Sequence, residues 1–398
     1  MSNGRKVVLA YVACWAEVDW LRIRAEQLTH VSYAFACIQN GQAVNFMAAN
    51  FDRLSAGDPA LAALGYRAAC AKEDARLGLV RGLKAAHPHL KALISIGGWA
   101  AEGFSDAALT AESRERFADS AVAFMRRFDF DGLDLDWEYP GSAAAGITAR
   151  PEDRDNFTAL LRLLRLKLSA QAFADERAKD AGYLLTIATG ASPGHVLGVD
   201  IAAVTPELDF IGLMSYDLYN GYSTRAGHHA NLYCSSLDPS GDSGDKAVRL
   251  FVAAGAPAAK LLLGAAFYGR GMSGVAASDR HGLMQPGTPG TNLTRSYDEI
   301  LNALNPPTHW SRHWDDEAQA PYLYGGTSFI SYEDEESLRC KASYVHEHGL
   351  AGAMFWEYSN NRSGELLTAL AAALQRGHAV DPGSGSEPKS APHARHLI

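Results

Sequence analysis

The sequence lacks the marks of several protein classes. Its five cysteines, Cys14, Cys37, Cys70, Cys234 and Cys340, include no CxxC pair and no Cys/His spacing of a metal site, so they are expected as packing residues rather than ligands. Cys14 and Cys37 follow the first two strand candidates, and one disulfide between them stays open. The fourteen histidines contain no HExxH motif; His228-His229 reads as a loop feature, and no metal or other cofactor is expected. No apolar run reaches the ~18 residues of a membrane span. The opening run Val7 to Val12 is too short for the apolar part of a signal peptide with a cleavage site behind it. A basic excess is missing too. The net charge of −9 gives no support to nucleic-acid or anionic-membrane binding.

What remains is a chain of 398 residues, 47% of them hydrophobic. It can bury one barrel of about 250 residues plus additions. Short apolar runs alternate with longer amphipathic ones, the pattern of repeated βα units around a parallel sheet. Eight strand candidates emerge: Val7 to Val12, His30 to Ala36, Lys91 to Gly97, Gly132 to Glu138, Tyr183 to Thr189, Phe210 to Asp217, Leu261 to Tyr268 and Gly352 to Tyr358. Ser113 to Phe128 and Asp155 to Leu168 read as one-sided helices, and Asp74 to Ala86 as a helical run inside a long gap. The pattern predicts a (β/α)8 TIM barrel over 1–270 and 329–376. Residues 271–328 are too long for a simple βα connection and are expected as an insertion subdomain between strands seven and eight. The Pro/Gly/Ser-rich residues 377–398 are expected to be disordered.

One stretch is costly unless it does chemistry. In Asp131-Gly132-Leu133-Asp134-Leu135-Asp136-Trp137-Glu138 the strand period puts Asp134, Asp136 and Glu138 on one face and Leu133, Leu135 and Trp137 on the other. Carboxylates roughly 6 to 7 Å apart along a strand repel, so a sheltered row should hold at least one proton and titrate as a coupled set. A proton held there is a candidate catalytic acid. Asp131 has the opposite parity and reads as structural. The competing reading is a structural divalent-cation site, which oxygen-rich carboxylates also suit. At other strand ends Tyr216, Asp217, Tyr268, Arg270 and Trp356 would converge on the same mouth.

These residues carry a resemblance. The chain resembles chitinases of glycoside hydrolase family 18: the family's DxxDxDxE pattern stands as Asp131, Asp134, Asp136 and Glu138, and its SxGG pattern as Ser95-Ile96-Gly97-Gly98, followed by Trp99. Further similar stretches are Thr29-His30-Val31-Ser32-Tyr33-Ala34-Phe35-Ala36, Met214-Ser215-Tyr216-Asp217, Gly264-Ala265-Ala266-Phe267-Tyr268-Gly269-Arg270 and Gly352-Ala353-Met354-Phe355-Trp356-Glu357. The segment between strands seven and eight resembles a short version of one subfamily's small α+β insertion domain. The resemblance implies Glu138 as general acid and a reacting acetamido group on the substrate in place of a carboxylate nucleophile. It implies Asp136 as the group that orients the acetamide, Asp134 as its proton-sharing neighbour, and Tyr216 as a donor to the acetamido oxygen. Tyr11, Phe35, Gly98, Trp99, Met214, Asp217, Tyr268, Arg270 and Trp356 would bind substrate. The implied partner is chitin or a chito-oligosaccharide, with the protein a monomer; that substrate points to an extracellular location. Two alternatives stay open: a non-catalytic chitin-binding lectin, and an endo-β-N-acetylglucosaminidase acting on N-glycans.

Overall fold

The computed structural model describes residues 5–376 apart from 17, 179–180, 292 and 305–308; the expectation for residues 377–398 lies outside the described residues. Eight parallel strands close into a barrel: β1 (Val7–Ala13), β2 (His30–Gln39), β3 (Lys91–Gly97), β4 (Gly132–Asp136), β5 (Leu184–Gly190), β6 (Phe210–Met214), β7 (Leu261–Ala266) and β8 (Gly352–Trp356). Each pairs with its sequence neighbours, and β1 with both β2 and β8, which closes the barrel; the short strand Gln42–Asn45 adds antiparallel to β2.

Alternation along the strands divides the core. Outward residues such as Val8, Ala10, Ile94, Ile96, Leu133, Leu135, Ile187 and Leu213 join the helices in one large cluster. Each such Leu, Ile or Val contributes about 1.5–3 kcal/mol on burial. Helix Ala111–Arg127 presents Phe117, Ala118, Ala121, Val122 and Met125 to it, and starts at a reciprocal cap between Thr110 and Ser113. Helices Tyr66–Ala86 and Asp153–Ala174 cover neighbouring strands. The interior is smaller: Val7, Leu9, Tyr11, Leu93, Ala188, Leu262 and Met354 fill it. Among them sit the buried polar residues Ser32, Ser95, Asp134 and Thr186.

Four strands stop short of their expected ends, and all four stops lie at the mouth. β4 ends at Asp136, whose register partner on β3 is Gly97, the last residue of that strand. The alternation outlasts the ladder, however. Trp137 still points outward, stacked on Phe104 at 5.2 Å and edge-on to Phe157 at 5.3 Å, and Glu138 still points into the mouth. β6 ends at Met214 because the next residue replaces the ladder: Ser215 Oγ both accepts from Gly264 N–H and donates to its carbonyl, each at 3.1 Å. Asp217 then turns the chain at φ 57°. β8 ends at Trp356, the last residue in register with β7.

β7 ends at Ala266, and Tyr268 opens a separate sheet. Its antiparallel strands run in the spatial order Arg295–Ser296, Tyr268–Ser273, Ser328–Ser331, Ala320–Tyr324, Ser311–Asp315, with helix Tyr297–Leu304 beside them. Met272, Val275, Leu283, Tyr322, Tyr324 and Phe329 give it a core of its own. Tyr268 and Arg270 thus ride on this added sheet rather than on the end of β7. No helix among the described residues is long and apolar enough to cross a membrane.

Candidate active site

The strand ends surround a cleft of ≈ 1250 Å³. It brings together every expected catalytic and substrate-binding residue except Asp134: Tyr11, Phe35, Gly98, Trp99, Asp136, Glu138, Met214, Tyr216, Asp217, Tyr268, Arg270 and Trp356 all line it. Asp134 lies below the floor, fully buried.

The acidic row is graded by partners. Asp134 accepts hydrogen bonds from Thr186 Oγ1 at 2.6 Å, Ser95 Oγ at 2.7 Å and the Tyr11 hydroxyl at 2.9 Å. Burial raises its carboxyl, and those three donors oppose the rise. Both oxygens of Asp134 thus accept from hydroxyls, and its charge acts on the Asp136 carboxyl above it. Asp136 is also buried, yet its Oδ1 has no hydrogen-bond partner among the described residues. Burial, then the charges of Glu138 and Asp134, holds its carboxyl well above the usual range. Burial pushes Glu138 up to about 7, with a hydrogen bond from the Tyr139 side chain opposing and the Asp217 charge adding. Burial thus raises both carboxyls at the mouth end of the row, beside the cleft.

Asp131, on the outer face, is structural in its contacts. It accepts from Ala92 N–H at 3.0 Å and pairs with Arg177 and Lys84, each at 3.2 Å.

Glycine is required at the end of β3. Gly97 has φ 121°, and a Cβ there would stand 2.1 Å from the Asp136 carbonyl oxygen; at Gly98, φ 95°, it would stand 2.7 Å from the Phe35 ring. Gly98 N–H instead donates to Asp136 O at 2.9 Å, which seats the acidic strand end against an aromatic wall.

Across the cleft, Asp217 is held by the added sheet. Arg270 donates Nε to Oδ1 at 2.7 Å and Nη2 to Oδ2 at 2.8 Å, and the Tyr268 hydroxyl donates to Oδ1 at 2.7 Å. Burial alone would raise the Asp217 carboxyl, but the Arg270 hydrogen bonds, with help from His229, hold it well below the usual range. The Tyr216 hydroxyl has only the sulfur of Met354, at 3.7 Å, as a partner among the described residues. It is thus a donor with weak prior engagement.

Aromatic rings form one side of the cleft. Trp356 stacks on Phe35 at 5.6 Å and 19°, with Tyr11 and Trp15 each 6.1 Å away. Trp15, which sequence reasoning missed, continues the run to Phe46 at 5.7 Å and is 57% exposed. Its signal was available: an aromatic two residues past the end of β1, at the mouth face. Tyr139, His195 and Tyr222 also line the cleft and were missed. Trp99 stands 62% exposed at the rim.

All five cysteines are free thiols, so Cys14 and Cys37 are not bridged. Both are buried, which pushes the Cys37 thiol up to about 11. Among the described residues no three His, Cys, Asp or Glu side chains gather as a metal site.

Known proteins share this sequence and architecture. The model of glycosyl hydrolases family 18 matches residues 7–361. The chain is 40% identical over 334 residues to chitinase A1 of Niallia circulans, covering 79% of this chain and 46% of that protein. It therefore spans about half of that relative's length. A solved family 18 N-acetylglucosaminidase from Paenibacillus barengoltzii superposes with a TM-score of 0.80 at 39% identity, over 92% of this chain and 99% of that one. An E115Q mutant of the class V chitinase from Nicotiana tobaccum, solved in complex with NAG4, superposes with a TM-score of 0.77 at 26% identity, over 93% and 99% of the two chains.

Proposed function

The chain belongs to family 18 of the glycosyl hydrolases, and from that premise we propose that it hydrolyses β-1,4 linkages between N-acetylglucosamine units of chitin or chito-oligosaccharides with retention of anomeric configuration. The observation that carries the mechanism is the buried, unpartnered Oδ1 of Asp136 beside a protonatable Glu138. An orphaned acceptor of this kind costs roughly 1–3 kcal/mol unless a ligand N–H meets it. A 2-acetamido group supplies that N–H.

In this reading the reacting sugar lies on Trp356. Asp136 takes the acetamido N–H and turns the carbonyl oxygen toward the anomeric carbon, while the Tyr216 hydroxyl donates to that oxygen. Glu138 gives its proton to the bridging oxygen as the C–O bond breaks and the acetamido oxygen closes an oxazolinium ring. Water then opens the ring, with Glu138 taking back a proton. Holding the nucleophile within the substrate supplies the proximity gain of an intramolecular reaction. Asp134 stays below as a satisfied carboxylate whose charge favours the protonated form of Asp136. The names of the relatives, and the NAG4 bound to the Nicotiana protein, support an acetamido-sugar substrate.

The test offers the purified protein a chromogenic chito-oligosaccharide and an N-glycosylated protein, with a thiazoline analogue of the oxazolinium as inhibitor. Release from the oligosaccharide with competitive inhibition is expected. Release from the glycoprotein alone supports the endo-β-N-acetylglucosaminidase alternative, and binding without release the lectin. Turnover that the thiazoline does not inhibit contradicts substrate assistance.

A further inference from the structure

The wall facing the aromatic floor holds a side chain that the chemistry above does not use. Trp356, Phe35 and Trp15 belong to β8, β2 and the residues after β1, which adjoin in the barrel, whereas β4 and β5 lie on the far side. Past β5 the chain turns through Ser192 into the short helix Pro193–Gly198, which brings His195 back over the strand end. The ring occupies the space of a missing side chain: a Cβ on Gly190 would stand 2.0 Å from His195 Nδ1. One face of the imidazole packs on Tyr139, the residue after Glu138, with 3.9 Å between centroids.

The ring's two nitrogens differ. Nδ1 accepts the Ser192 N–H at 3.4 Å and lies 3.1 Å from Ser192 Oγ. An Nδ1 that accepts leaves the ring proton on Nε2, and burial disfavours the doubly protonated ring. Nε2 has no hydrogen-bond partner among the described residues, and His195 lines the cleft. One edge is tied to the loop and the other carries an unengaged donor.

We propose that His195 determines specificity on the leaving-group side, its Nε2–H donating to an oxygen of the N-acetylglucosamine unit that departs. The assignment rests on the hydrolase reading: with the reacting sugar on Trp356 and its acetamide at Asp136, Glu138 marks the scissile oxygen. Tyr139 directly follows Glu138 in the chain, and His195 packs on it from the end of β5, a strand that does not adjoin β8, β1 or β2. The unit they meet is therefore the one across the scissile bond.

The test compares two substrates with the same reacting end, chitotetraose and an aryl chitobioside, whose leaving group is no sugar. His195→Phe keeps a ring on Tyr139 and removes the donor. Its kcat/KM for the oligosaccharide is expected to fall roughly three- to tenfold further than for the aryl glycoside, the weight of one neutral hydrogen bond. His195→Gln, with an amide N–H of similar reach, is expected to regain most of that loss, and His195→Ala, read like His195→Phe, guards against a ring the site cannot seat. Equal losses on both substrates, or none on either, overturn the proposal. A wild-type protein that cleaves neither substrate overturns the hydrolase reading and this one with it, whereas an active wild type with unselective variants overturns this one alone.

Discussion

Two acidic regions face each other across the cleft, and their environments are opposite. At the end of β6, Asp217 is half-buried, with a guanidinium on both oxygens and a phenol besides, and these hold its carboxyl well below the usual range against the effect of burial. At the end of β4, Asp136 is buried and Glu138 half-buried, neither has an ion pair with a cation among the described residues, and burial raises both carboxyls. The same functional group is thus made a fixed charge in one place and a proton carrier in the other. Partners make the difference: a bidentate arginine offsets the loss of water, whereas an empty acceptor leaves the proton as the cheaper way to be buried. Asp131, on the outer face, likewise has cations against it, Lys84 and Arg177.

The sharpest way to break this contrast is to remove the mobile proton. Glu138→Gln is expected to lower kcat by about 10³-fold or more while calorimetry still detects oligosaccharide binding, since shape and burial persist without a transferable proton. Undiminished turnover would remove Glu138 from its role. Asp136→Asn comes next, with a fall of roughly 10²-fold: the amide no longer offers an ionisable acceptor to the acetamido N–H. Rate on a substrate series of fixed glycone reads this loss in kcat rather than in KM.

Asp217→Asn tests the other side of the comparison. The negative charge of Asp217 disfavours ionised Glu138, so its removal lowers the Glu138 pKa. In the wild type, kcat/KM should fall as pH rises through about 7, where Glu138 loses its proton. In Asp217→Asn that alkaline limb moves to lower pH, with a loss of rate on the order of tenfold from the weakened tie to Arg270. A pH profile with the limb unmoved, or moved upward, contradicts the coupling. The smallest effect is expected at the rim. Trp15→Ala should raise KM for longer oligomers only a few-fold, the scale of one lost aromatic contact, and leave the melting temperature unchanged because the ring is 57% exposed.

The sequence carried the barrel because apolar alternation is a direct record of two-sided burial. All eight strands stand where the apolar runs put them, and Leu133, Leu135 and Trp137 face the helices as their parity requires. Strand ends were less legible. Polar side chains at the mouth continue the alternation after the hydrogen-bond ladder has stopped, so Glu138 and Asp217 read as strand residues although β4 and β6 end before them. Tyr268 and Arg270 line the cleft but ride on the added sheet rather than on β7, since nothing in Ala266-Phe267-Tyr268 announces that β7 gives way to an antiparallel strand. The partners that set the acidic row's gradation, Ser95, Thr186 and Tyr11, are brought together only by the closure of the barrel. His195 sits in a Ser/Pro/Gly turn with no period to mark it.

In the proposed mechanism the substrate's own acetamido oxygen, seated by Asp136, is the nucleophile. This is tested most directly with aryl chitobiosides whose reacting acetamide carries zero, one, two or three fluorines, which progressively weaken that oxygen. A kcat that falls steeply through the series, by orders of magnitude, is the expected result; a flat series would contradict the account.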